Sequence, residues 1–165
     1  MEPALEERAR QVLDAYRGAR MRLALAEAST GGLVAACLTD LPGASAVLER
    51  GFIPYSNEAK TEQLGVPVAL MVARGAVSEE VALALAEGAL AHSHADVAFA
   101  ETGIAGPSGG SEAKPVGLVY IALARRGGGS RCERHVFTGG RKEIRRATAA
   151  RVLEWALSVP GGTPG

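Results

Sequence analysis

Met21–Leu38 reads MRLALAEASTGGLVAACL: a short apolar run, a turn of two hydroxyls and two glycines, then a second apolar run. Met21–Glu27 is short and apolar on every side, which reads as a buried strand. Ser29-Thr30-Gly31-Gly32 makes the turn, and Leu33–Leu38 continues as helix. A helix that opens off a strand in this way presents N–H donors to an anion. The same residues also read as an N-cap, with Ser29 or Thr30 capping and the glycines letting helix and strand pack closely. Spacing alone leaves both readings open.

Outward from this unit the pattern alternates. Leu5, Ala9, Val12, Leu13 and Tyr16 recur at helical spacing and predict a helix over residues 3–18. Leu48–Ser56 reads as a strand whose last residues contain Pro54, which donates no ladder bond. Ser56 or Asn57 caps a short helix through Leu64, stopped by Gly65 and Pro67. Ser78-Glu79-Glu80 opens a strong helix, a hydroxyl at the cap and carboxylates where the helix dipole favours them. Strands follow over 96–101, 115–125 and 131–138, the last two joined by Gly127-Gly128-Gly129 as a hairpin. A final helix spans residues 141–157, with Ile144, Thr148, Val152 and Trp155 on its inner face. Strands alternating with helices and ending in a hairpin imply an α/β fold, a three-layer α/β/α sandwich with a mixed, mostly parallel sheet. Residues 1–160 read as one domain and 161–165 as a flexible tail, the end of PGGTPG.

Composition narrows the function. Lys plus Arg and Asp plus Glu are 18 each, so the charge footprint of a dedicated nucleic-acid binder is absent. Cys37 and Cys132 match no ligand spacing; Cys37 sits in an apolar helical stretch and reads as packing. His92, His94 and His135 have no partners at metal spacing, so no metal and no cofactor are expected. No apolar run approaches the ~18 residues of a membrane span, and residues 1–20 are amphipathic and charged throughout, so a cytoplasmic location without membrane contact is the expectation.

Three segments carry chemistry. Thr102–Gly117 (TGIAGPSGGSEAKPVG) places glycines at 103, 106, 109, 110 and 117 in a long connection, and such loops in compact domains usually serve a ligand. In Phe52–Lys60 (FIPYSNEAK), Ser56 and Lys60 stand one helical turn apart; a lysine works as a base only where burial or a neighbouring cation lowers its pKa. Arg141 and Arg145 stand on the first turns of the last helix behind Gly139-Gly140, where cations oppose the dipole and a phosphate contact would offset the cost. Arg146 and Arg151 are expected to face solvent.

Together, AEASTGG (26–32), TDLPG (39–43), GFIPYSNEAK (51–60), GAVSE (75–79), TGIAGP (102–107), GGSEAKPVG (109–117) and FTGGR (137–141) resemble, in order, the CinA C-terminal domain family. The likeness covers residues 5–157, and the length resembles the family's stand-alone, PncC-like form. The resemblance implies nicotinamide mononucleotide deamidase activity in pyridine-nucleotide recycling: hydrolysis of the nicotinamide amide to nicotinate mononucleotide and ammonia. It implies a Ser/Lys amidohydrolase, with a serine attacking, a lysine taking its proton and backbone N–H groups holding the oxyanion. The partner is then a small nucleotide, and a homo-oligomer is hinted at. The family is also named as competence-damage inducible, for which the neutral charge gives no DNA contact.

Carried over by position, Lys60 and Tyr55 fall in the catalytic set, and a working enzyme would use Ser29, or another nearby hydroxyl such as Ser45, as nucleophile. Thr30, Gly31, Gly32, Thr102, Gly103, Gly106, Gly109 and Gly110 shape the substrate pocket, and Arg141 takes the phosphate. The family usually reads Ala-Glu-Ser-Cys-Thr-Gly-Gly; here Ala28 holds the nucleophile position and Ser29 replaces the cysteine. Pro54, Glu101 and Gly140 depart from the usual Thr, an uncharged residue and Asp. A catalytically impaired nucleotide-binding relative is the alternative.

Overall fold

The computed structural model describes residues 1–161; residues 162–165 of the expected tail lie outside it. The described chain runs α1 (Pro3–Ala19), β1 (Leu23–Glu27), α2 (Leu33–Thr39), β2 (Leu48–Phe52), α3 (Asn57–Leu64), α4 (Val68–Arg74), α5 (Glu79–Ala91), β3 (Val97–Gly103), β4 (Leu118–Arg125), β5 (Ser130–Val136) and α6 (Arg141–Ser158). The strands form one sheet in the order β2-β1-β3-β4-β5. β1 pairs in parallel with β2 and β3, whereas β3–β4 and β4–β5 are antiparallel. Only β4 therefore runs against the others, and the sheet is mixed and mostly parallel.

Side-chain alternation along the strands sorts the core into two layers. Leu23, Leu25, Val97, Phe99, Val119, Ile121 and Leu123 meet α1, α2 and α6, with Trp155 of α6 edge-on to Phe99 at 5.7 Å between ring centres. Ala24, Ala26, Ala98, Ala100, Ala122 and Ala124 point the other way, where α5 lays Ala82, Leu85, Ala86 and Ala89 on this alanine floor. Cys37 is buried in the first layer, as packing.

Several boundaries differ from the sequence reading. β2 stops at Phe52, because Pro54 cannot extend the ladder and Ser56 caps α3, its Oγ accepting from the Ala59 N–H at 3.0 Å. β4 begins only at Leu118, after a turn in which its N–H donates to Pro115 O at 3.0 Å. The helix α4 was not anticipated: at seven residues it is too short to show a period, although Pro67 marks its start. Arg151 does not simply face solvent. It is held by Glu133 through Nε at 2.8 Å and Nη2 at 2.5 Å, tying α6 to β5.

Tyr16 of α1 is fully buried, and among the described residues its hydroxyl is the buried side-chain atom that finds no hydrogen-bond partner. An unsatisfied buried hydroxyl costs about 1–3 kcal/mol. Tyr16→Phe is therefore expected to raise stability by about 1 kcal/mol. Urea unfolding of the two proteins checks this, and a lower midpoint for the variant would contradict it.

Candidate active site

β1 and β3 lie side by side and in parallel, and each ends in a glutamate: Glu27 is registered opposite Glu101. Both carboxyls are buried, 2% and 1% exposed, at the carboxyl edge of the sheet where α/β folds place their ligands. They share the side of the sheet that carries Leu25 and Phe99, because they stand two residues on from them.

The turn after β1 is wrapped around these two acids. Glu101 accepts from the Ser29 N–H at 2.9 Å, the Thr30 N–H at 2.9 Å, the Thr30 hydroxyl at 2.8 Å and, in a short contact, the Ser29 hydroxyl. Glu27 accepts from the Val34 N–H at 2.7 Å and the Ala35 N–H at 3.0 Å, taking the first free amides of α2. Gly31 and Gly32 turn the chain with φ of +62° and +99°, a region that favours glycine. From outside, Arg145 of α6 closes on the turn, donating from Nη2 to Thr30 O at 2.6 Å and from Nε to Ser29 O at 3.3 Å. The amides of Ser29, Thr30, Val34 and Ala35 are thus taken by the protein's own carboxyls, so these four are not offered to an outside anion.

In front of the turn lies a cleft of about 230 Å³, lined by Ala28, Ser29, Tyr55, Asn57, Lys60, Ala76, Val77, Thr102, Gly103, Ala105 and Arg141. Ala28 continues the alanine parity of β1 and belongs to the layer under α5. Ser29, one residue on, reaches Glu101 instead. Lys60 is on the first turns of α3 yet only 3% exposed. Its ammonium donates to Tyr55 O at 3.1 Å. Burial lowers the Lys60 pKa, opposed by the charges of Glu101 and Glu58. Burial also raises that of Glu101, against the hydrogen bonds from Ser29 and Thr30, while the charge of Glu27 raises it further. Thr102 is buried and donates to Ala76 O at 2.9 Å, which fixes the cleft's wall between α4 and α5. Arg141, exposed at the mouth, donates to Gly106 O at 2.7 Å and to the Tyr55 hydroxyl at 3.2 Å.

The structure therefore brings Ser29, Tyr55, Lys60, Thr102, Gly103 and Arg141 to one cleft. Thr30, Gly31, Gly32, Gly106, Gly109 and Gly110 stand outside its lining: Thr30 is turned inward to the two glutamates, and Gly106 anchors Arg141 through its carbonyl. The expected serine–lysine contact is not made. The Ser29 hydroxyl is engaged by Glu101, and the Lys60 ammonium by Tyr55 O. Tyr55 is 62% exposed, a cleft-mouth residue that holds Lys60 with its carbonyl and Arg141 with its hydroxyl.

Two contributors, Glu27 and Lys114, were given no role in the sequence reading, and a third, Glu101, stood out only as a departure from the family pattern. Glu27 and Glu101 form the floor; the visible signal was that two buried-strand candidates, LALAE and VAFAE, both end in glutamate. Lys114 of the glycine-rich connection donates to Arg74 O at 2.6 Å and Val77 O at 2.8 Å, capping α4 and holding that connection beside the cleft wall.

Comparison with known proteins agrees with this architecture. The model of the CinA C-terminal domain matches residues 5–159. A CinA-like protein of Geotalea uraniireducens is 49% identical over 144 residues, covering 87% of this chain and 34% of that protein. One of Akkermansia muciniphila is 50% identical over 139 residues, covering 84% and 34%. The chain thus spans about a third of the length of the curated relatives it matches. Among solved structures, the competence/damage inducible protein CihA of Agrobacterium tumefaciens superposes with a TM-score of 0.92 at 44% identity, covering 95% of this chain and 97% of that one. A CinA superfamily protein of Escherichia coli gives 0.89 at 28% identity, covering 95% and 92%. With the family model matching residues 5–159 and about half of the aligned residues shared with these relatives, the chain belongs to the CinA C-terminal domain family.

Proposed function

We propose that this domain hydrolyses the ring carboxamide of a nicotinamide mononucleotide-like substrate, giving the carboxylate and ammonia. The observation that carries this reading is the joint presence, on one small cleft, of a serine hydroxyl bonded to a carboxyl and a desolvated lysine, with a guanidinium at the mouth. The cleft takes the carboxamide-bearing ring. The phosphate stays at the mouth, beside the N–H donors that Arg141 does not spend on Gly106 and Tyr55. Ser29 attacks the amide carbon, its proton passing to the Glu101 carboxyl that its hydroxyl contacts and returning to Oγ when the serine ester is hydrolysed. Lys60, whose lowered pKa makes its ammonium a readier acid, protonates the departing nitrogen and then takes a proton from the incoming water.

One observation favours the second reading, nucleotide binding without turnover: Ala28, not a hydroxyl, faces the cleft at the family's nucleophile position. Ammonia release from nicotinamide mononucleotide separates the two. The native protein is expected to release ammonia, and Ser29→Ala to lose roughly 10³-fold or more of that activity. Arg141→Ala is expected to raise KM about tenfold with a smaller change in kcat, the loss of one charge-assisted contact. Nucleotide binding by calorimetry with no ammonia, and ammonia appearing once Ala28→Ser restores a serine there, would sink the hydrolase reading.

A further inference from the structure

The peptide that joins Ser29 to Thr30 is held from both sides. Its N–H donates inward to Glu101 Oε1 at 2.9 Å, and its carbonyl, Ser29 O, accepts from Arg145 Nε at 3.3 Å on the outside. In a trans peptide these two groups point in opposite directions, so one amide plane spans the gap between a buried carboxyl and a half-buried guanidinium. The next carbonyl, Thr30 O, accepts from Arg145 Nη2 at 2.6 Å, which makes a charge-assisted fork on two successive carbonyls. The peptide before Ser29 is anchored as well, its N–H donating to Glu101 Oε1 at 2.9 Å. Both amide planes that flank the Ser29 Cα are therefore fixed. Together they set the direction of its Cα–Cβ bond, and that direction brings the hydroxyl onto Glu101 Oε2. The residues that follow cannot do this work, because Gly31 and Gly32 carry no side chain to hold the turn.

Arg145 reaches the turn from a firm base. Ile144 and Thr148, on the turns of α6 around it, are buried. Its neighbours Arg146 and Arg151 pair with Glu2 and Glu133, whereas Arg145 spends its donors on the two carbonyls. It does not line the cleft. We infer that Arg145 is a positioning residue for the reaction: it presses the Ser29–Thr30 amide against Glu101 and so aims the Ser29 hydroxyl. The inference rests on reading Ser29 as the nucleophile of the proposed hydrolysis. Arg145 touches no reacting atom, so its effect falls on the rate of attack and not on the affinity for the nucleotide. Arg141 stands four residues earlier, one turn away on the same helix. One helix thus carries both the guanidinium at the cleft mouth and the one behind the nucleophile.

Arg145→Ala is expected to lower kcat for ammonia release by about 10²-fold, the scale of a small misplacement of a reacting group, with KM little changed. A serine-directed fluorophosphonate reads the same effect without the nucleotide: the Oγ–phosphorus bond forms, fluoride leaves, and the serine proton goes to Glu101. Native protein is expected to label at Ser29, and Arg145→Ala to label there more slowly by a similar factor. Millimolar guanidinium chloride, well below the molar range that unfolds proteins, is expected to restore part of the variant's labelling rate by refilling the fork. A residue that only braced the fold would not be rescued by a denaturant. Arg145→Lys is expected to fall between native and Arg145→Ala, since an ammonium is a point charge without the fork. Thermal melting confirms that the variants fold. Labelling and ammonia release by Arg145→Ala within about threefold of native, or a loss confined to KM, overturns the inference. So does a slowed variant that recovers neither with guanidinium nor as Arg145→Lys. Ammonia released equally well by Arg145→Ala would leave the hydrolase standing without this clamp. Labelling of Ser29 that depends on Arg145, with no ammonia from the native protein, would leave the clamp standing and remove the hydrolase.

Discussion

Lys60→Met is expected to lower nucleotide amide hydrolysis by about 10²–10⁴-fold while leaving the protein at least as stable as the native form. The two effects have one cause. Lys60 is only 3% exposed, and among the described residues its ammonium has a single hydrogen-bond acceptor, Tyr55 O. Removing a charge from water costs more than one such contact returns, which is why burial drives its pKa down from the ordinary 10.5. Methionine keeps the straight chain that fills the space between α3 and the cleft and removes the charge. The pH dependence has a definite sign. Between the lowered native value and 10.5 the unfolded chain binds a proton at Lys60 that the native protein does not, so stability rises with pH across that window. Lys60→Met is expected to flatten that rise. Denaturant midpoints at several alkaline pH values, beside ammonia assays, check both halves; a variant that is inactive and also markedly less stable would mean that Lys60 is structural.

Gly117→Ala is expected to be among the most damaging single-methyl changes in the chain, costing about 3–4 kcal/mol from left-handed strain and overpacking together. Gly117 has φ +96°, and a Cβ there would fall 1.9 Å from Phe137 O. No side chain can move aside, because that oxygen belongs to backbone. Gly117 donates to Ile104 O at 2.8 Å and accepts from the Phe137 N–H at 2.9 Å, so it holds the start of β4 against the chain on both sides. Losing this junction loosens the return of the glycine-rich connection that places Thr102, Gly103 and Ala105 on the cleft. A large fall in urea midpoint is the expected result; a change within about 0.5 kcal/mol, ordinary for a surface substitution, would refute the close-packing account.

Much of the fold was legible because local chemistry and burial agree. Leu5, Ala9, Val12, Leu13 and Tyr16 recur at helical spacing and are all buried on one face of α1. Ser78 caps α5 as its position ahead of two glutamates suggested, accepting from the Val81 N–H at 3.3 Å. α4 escaped notice because seven residues give no period to read. The strand at 48–56 was overextended because Ile53 and Tyr55 continue the apolar look after the ladder has ended; they are 50% and 62% exposed. In the cleft, Lys60 and Arg141 stood out by residue type and by resemblance. The residues that decide their environment did not, since Tyr55 O and Gly106 O act through backbone.

By itself the sequence determined the alternation of strands and helices, the two glycine-rich turns at the ends of β1 and β3, and the absence of a serine at position 28. These depend on side-chain type and near neighbours. Only the tertiary structure decided what Ser29 touches. Glu101 is 72 residues further along, and its meeting with Ser29 follows from the parallel register that sets Glu27 beside Glu101. Strand alternation then assigns Ala28 to the alanine layer under α5 and turns the Ser29 hydroxyl to the buried acids, a choice that a one-residue shift makes and no local pattern records.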